Sequence, residues 1–148
     1  MASKTSDVDI EAEAAAEPTE PTETGSGLDE NVAGALSYLF GFVTGLIFFL
    51  IEKENRFVRF HAAQSMVVTG LLFLAYVALS IVGTVISTVL FASTSTFLVG
   101  SIVSLVLGLV WLALIVGGFA LWVYLMVNAY RGETTRLPVA AGITDKLV

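Results

Sequence analysis

Between His61 and Tyr130 the chain runs for 70 residues without a single Asp, Glu, Lys or Arg. The faces that a soluble domain turns to water need charge, and such domains are about a quarter charged overall. An uncharged stretch this long, rich in Leu, Val, Ile, Phe and Gly, can be satisfied only by hydrocarbon. The fold class expected is therefore an all-α integral membrane protein. The rest of the composition removes other classes. The 148 residues include no cysteine and one histidine and carry a net charge of −6. That excludes a disulfide scaffold and a structural zinc site, and it argues against a nucleic-acid partner, whose phosphates would be repelled.

The charges crowd towards the ends. Residues 1–30 hold nine acids (Asp7, Asp9, Glu11, Glu13, Glu17, Glu20, Glu23, Asp29, Glu30) and one base, Lys4. Ala, Thr, Pro and Glu dominate there and aromatic residues are missing, so the segment lacks the apolar area to offset the entropy of ordering. It is expected to be a disordered acidic tail, with a brief helix in 10–17 allowed by Ala and Glu. A basic n-region followed by an apolar core is not seen, so the first apolar run is expected to be retained rather than cleaved.

A transmembrane helical domain is expected over 31–130. The first run, 32–51, has the length of one bilayer crossing as a helix, and Asp29 or Asn31 suits its N-cap. A polar hinge, Glu52-Lys53-Glu54-Asn55-Arg56, interrupts the pattern. The second span is placed at 66–90, its preceding turns lying at the interface. Ser93-Thr94-Ser95-Thr96 separates it from a third at 98–127, which is long enough to require tilt. Dividing that last run at Gly117-Gly118 would give four spans with pieces too short to cross, so three is the expected number and four the alternative. Residues 131–148 form a basic C-terminal tail. Lys53, Arg56, Arg59, Arg131, Arg136 and Lys146 fall on one side of a three-span chain. The positive-inside rule then places the hinge and C-terminus in the cytoplasm and the N-terminus outside. Trp122, Tyr124 and Tyr130 supply an interfacial belt on the cytoplasmic side.

Small residues recur at helical spacing on each span: Gly34, Gly41 and Gly45 on the first, Gly83 on the second, and Gly100, Ser104 and Gly108 on the third. Such stripes let helix backbones approach closely in lipid, where the hydrophobic effect does not drive association. They serve either the packing of the three helices of one chain or contact with a second copy or another membrane protein.

The most informative segment is 52–65. Asn55 is a natural N-cap for a helix entering the second span. On that helix Phe57, His61, Gln64 and Ser65 share one face, while Arg56, Arg59 and Phe60 point elsewhere. Arginines interleaved with phenylalanines at the water–lipid boundary suit guanidinium–phosphate contact and shallow ring insertion. These seven residues are the candidate interfacial site. They either anchor the second helix at its depth or recognise lipid or a partner, with His61 and Gln64 facing a partner helix. His61 is also the one side chain suited to titrate near neutral pH.

Ala35-Leu36-Ser37-Tyr38-Leu39 with Gly41 and Gly45, then Glu52-Lys53-Glu54, then Phe57-Val58-Arg59-Phe60-His61-Ala62-Ala63-Gln64-Ser65 resemble a family of small prokaryotic membrane proteins of unknown function. That family is similar to the magnetosome proteins MamF and MmsF and, more distantly, to the Tic-type import protein of the chloroplast inner envelope. Ala129, Gly132, Leu137-Pro138, Gly142 and Lys146 continue the match, which covers about residues 31–147 and omits the acidic tail. The resemblance implies three to four membrane helices, roles in membrane-compartment assembly or protein translocation, and no catalytic residues. The acidic tail and the balance of Arg to Lys suit a salt-loving archaeal source.

An enzyme is not expected. The only imidazole lies at the membrane edge, Glu52 and Glu54 sit beside Lys53 and Arg56, and no phosphate-binding glycine loop is followed by Lys-Ser/Thr. No cofactor is implied. Ion-coupled transport lacks its usual intramembrane ionisable groups. What remains is a non-enzymatic interaction or assembly factor whose basic cytoplasmic surface meets lipids or a partner. The alternative is a subunit of an oligomeric channel or translocation complex, lined by Ser80, Thr84, Ser87, Thr88, Ser101 and Ser104.

Overall fold

A computed structural model describes residues 24–148. The expected disorder of the acidic tail and its brief helix thus lie largely outside the described residues. Among the described residues the only regular elements are helices: α1 (Glu30–Leu36), α2 (Phe42–Ile51), α3 (Arg56–Leu90), a 3-10 turn (Thr94–Thr96), α4 (Phe97–Tyr130) and α5 (Pro138–Leu147). Two of these, α3 and α4 counted with its leading turn, are long and apolar enough to cross a membrane.

Both long helices begin or end with chemistry visible in the sequence. Asn55 caps α3, its Oδ1 accepting the Val58 N–H at 3.1 Å. The helix then continues unbroken from Arg56, ten residues before the expected start of the second span at 66. At the other end of α4, Gly132 adopts φ +79°. The Gly132 N–H reaches the Ala129 carbonyl and the Glu133 N–H reaches that of Asn128, the paired bonds of a Schellman stop. Gly117 and Gly118 do not break α4, so the third expected span is a single helix. The C-terminal segment is not merely a tail: Leu137 leads into α5 with Pro138 at its first turn.

The first expected span is corrected. Residues 32–51 do not form one helix, because the chain leaves α1 at Ser37 and re-enters a helix only at Phe42. Gly41 makes the break with φ +56° and ψ −116°, a conformation open to glycine and costly for other residues. With seven and ten residues, α1 and α2 are each too short to cross hydrocarbon.

The two pieces form a hairpin whose mouth and exit coincide. The Gly25 and Ser26 N–H groups, just before α1, both donate to the Glu52 carboxylate just after α2, each at 2.9 Å. Asn55 Nδ2 donates to the Glu30 carboxylate at 3.1 Å. The expectation that the residues before the first apolar run lie across the membrane from the hinge is therefore not met. Residues 24–30, the hinge, and the segment after α4 occupy one end of the molecule, and the uncharged Ser93–Thr96 turn occupies the other. The hairpin's α1 touches both α3 and α4, while α2 lies along α3. Beyond the hairpin, α3 and α4 run antiparallel with only each other, through Tyr76 against Trp111 and Gly83 against Leu107.

Candidate functional site

A helix broken inside a membrane protein exposes backbone groups that lipid cannot satisfy, so this chain must satisfy them itself. At the hairpin tip Trp122 Nε1–H donates to the Tyr38 carbonyl at 2.6 Å, and Ser65 Oγ–H donates to that of Gly41 at 2.9 Å. Thr44 closes the turn from within, accepting the Phe40 N–H and donating to the Ser37 carbonyl. Small residues make the fit possible. A Cβ on Gly45 would sit 2.8 Å from the Ala62 carbonyl oxygen, and one on Gly41 2.6 Å from Thr69 Oγ1.

Below the tip lies a buried polar cluster. The Tyr38 hydroxyl and His61 Nδ1 are 3.0 Å apart. Gln64 Nε2–H donates to the Thr135 carbonyl at 2.9 Å, and Asn128 Nδ2–H to the Thr135 hydroxyl at 2.8 Å. Phe57, Phe60 and Tyr38 meet the imidazole edge to face, Phe57 most closely with centroids 4.5 Å apart. His61 Nε2 and Gln64 Oε1 have no partner among the described residues. The cluster pins three segments, the hairpin, α3 and the loop after α4, to one point.

This placement corrects the expected contact face. Phe60, His61, Gln64 and Ser65 are buried within the chain and face its own hairpin and C-terminal loop rather than lipid or an external helix. A helical face read from sequence identifies which residues travel together but not what stands opposite. Phe57 is half-buried against Gly34 and His61. Only Arg56 is exposed outright. Arg59 lies half-buried, stacked over the Phe49 ring at 4.4 Å and donating to the Glu52 carbonyl at 3.0 Å.

Of the expected packing positions, Gly34, Gly41 and Gly45 fit the hairpin against α3, and Gly100 fits under Leu90 and Phe91. Gly83 makes an ordinary contact with Leu107, and Gly108 faces open space. Ser104 and Gly108 instead border a groove of about 520 Å³ between the far halves of α3 and α4, with Ser80, Thr84 and Ser87 opposite. A second recess, about 530 Å³, opens at the charged end between Arg56, Phe57, Phe60, Thr134 and Arg136. Arg136 forms an ion pair with Asp145 and lies 5.2 Å over the Phe60 ring.

Tyr38, Glu52, Trp122, Asn128 and Thr135 hold the site together and were not singled out as site residues by sequence reasoning. Two carried a signal. Asn128 is the one amide between residues 65 and 130, and Glu52 is the acid that ends the first apolar run.

Two apolar helices of spanning length, a glycine-broken hairpin beside them and charges gathered at one end define a helical membrane protein. The sequence profile of the Magnetosome magnetite crystal formation protein family, MamF/MmsF, matches residues 28–144, and the chain belongs to that family. Its relatives include a UPF0132 membrane protein of Methanocaldococcus jannaschii, 38% identical over 126 residues, covering 84% of this chain and 93% of the relative. A UPF0132 membrane protein of Archaeoglobus fulgidus is 34% identical over 121 residues, covering 82% of this chain and 97% of the relative. No solved structure matches the chain.

Proposed function

We propose that the protein is a non-enzymatic interaction or assembly factor of the cell membrane, acting through its charged end. The observation that carries this reading is the distribution of charge. Asp29, Glu30, Glu52, Lys53, Glu54, Arg56, Arg59, Arg131, Glu133, Arg136, Asp145 and Lys146 all belong to segments at one end, and the turn at 91–96 has none. The buried polar side chains Tyr38, His61, Gln64 and Asn128 join the hairpin, α3 and the loop after α4 to one another, which supports a structural rather than a catalytic part for them. By the positive-inside rule the charged end is cytoplasmic. The chain then crosses twice, through α3 and α4, with α1–α2 dipping in and returning. Residues 24–30 and the C-terminal segment share the cytoplasmic side. Membrane lipids and a partner protein are the ligands this surface suits.

A second reading, a subunit of a homo-oligomeric channel or translocation complex, is favoured by the hydroxyl-lined groove between α3 and α4. Extraction into native-lipid nanodiscs, followed by mass spectrometry, separates the two. A stoichiometric second polypeptide, lost on Arg56→Glu while insertion persists, supports the assembly factor. A homo-oligomer free of partners and dispersed by Gly108→Leu supports the channel subunit. A monomer with neither sinks both.

A further inference from the structure

The hairpin has a mechanical consequence that follows from its depth. Ten residues of α2 rise about 15 Å, half of a hydrocarbon core of about 30 Å. The tip stops where Gly41 meets Ser65 and Thr69 and where Tyr38 meets Trp122. The hairpin's outer face is apolar and open: Phe40 is 72% exposed, and Phe42, Val43, Ile47 and Leu50 are exposed with it. A face of that kind belongs in acyl chains, not in water. From Leu72 and Gly118 onwards, α3 and α4 have only each other.

The membrane domain therefore has unequal cross-sections. On the charged side four helices (α1, α2, α3, α4) stand side by side, and on the far side two. Helices about 10–12 Å across occupy roughly 100 Å² each, so the hairpin adds on the order of 200 Å² to one leaflet only. In a flat bilayer that excess compresses lipids on the charged side and leaves the far leaflet underfilled. A bilayer curved away from the far side relieves both.

We propose that the α1–α2 hairpin makes this protein a one-leaflet wedge that favours membranes curved with the charged end on the convex face. The shape follows from geometry. Its direction in a cell rests on the cytoplasmic placement of the charged end given above, which makes the convex face the cytoplasmic one. The fixed chemistry at the tip keeps the wedge rigid: its backbone is bonded to Trp122 and Ser65 and cannot extend into a spanning helix without breaking those bonds.

The test uses the full-length protein at low density in unilamellar vesicles of phosphatidylcholine and phosphatidylglycerol, spanning sonicated to large extruded sizes. The chain has no cysteine, so Ser26→Cys, Lys53→Cys and Ser95→Cys each introduce a unique label site. Membrane-impermeant maleimide reports which end faces outwards, and single-vesicle fluorescence gives protein density against vesicle diameter. The expected result is that Ser26→Cys and Lys53→Cys label on one side and Ser95→Cys on the other. Molecules with the charged end outside should be severalfold denser on the smallest vesicles, and those with it inside depleted there. The inverted molecules serve as a control with an unchanged fold. Density independent of diameter in both orientations, with that labelling pattern intact, overturns the wedge and leaves the two-crossing topology standing. Labelling of Ser26→Cys on the side of Ser95→Cys overturns the hairpin, and the wedge with it.

Discussion

The charged half and the far half of the molecule are built on opposite principles, although one pair of helices runs through both. In the charged half, specific bonds fix position: Trp122 to Tyr38, Ser65 to Gly41, Gln64 and Asn128 to Thr135, Glu52 to Gly25 and Ser26. In the far half most residues of α3 and α4 are exposed and only Gly100 is buried, and the helix hydroxyls that bond do so within their own helix, Thr88 to Thr84 and Ser101 to Phe97. The lesson is that burial in this chain follows the broken helix rather than hydrophobicity. The most apolar stretches are the least enclosed, because lipid already solvates them.

Substitutions of similar chemistry should therefore differ sharply between the halves. Gly41→Val combines a backbone that valine resists with a clash at Thr69 and should cost about 3 kcal/mol, read as loss of folded protein in a reversible unfolding assay in detergent micelles. Glu52→Ala removes a carboxylate that accepts two backbone N–H groups and should cost about 2 kcal/mol, with amide exchange at Gly25 and Ser26 rising first. Trp122→Phe keeps the ring but loses the donor to Tyr38 and should cost about 1 kcal/mol by the same unfolding assay. Asp145→Asn breaks an ion pair between half-exposed partners and should cost below about 1 kcal/mol, diminishing further in high salt. Gly108→Ala meets nothing within 4 Å, so it should leave stability unchanged or raise it slightly through helix propensity. A loss at Gly108 equal to that at Gly41 would erase the contrast and point to a partner in the far groove.

Sequence alone made the membrane class, the cap at Asn55 and the polar breaks at 52–56 and 93–96 legible, since each rests on local composition or local hydrogen bonding. The hairpin was not. Gly41 and Gly45 read equally well as a packing stripe on a continuous helix, because a glycine's positive φ is set by what surrounds it. Here Ser65, Thr69 and Trp122, all distant in sequence, decide. The segment 57–65 was legible as the chemical centre, and its inward direction was not, because the surfaces that enclose His61 and Gln64 come from the hairpin and the loop after α4. Arg59 shows the limit at one residue. Its charge suggests a headgroup contact, yet its guanidinium is engaged by Phe49 and the Glu52 carbonyl.

The bond from Trp122 to the Tyr38 carbonyl joins residues 84 positions apart, and this sets an order of biogenesis. When residues 30–51 leave the ribosome, the donor that completes their turn has not been synthesised. The turn's bond to Ser65 is available once α3 has been made, whereas its bond to Trp122 can form only after α4 has been synthesised. A chain stalled before residue 122 would carry an incomplete turn, its Tyr38 carbonyl without the donor that α4 supplies.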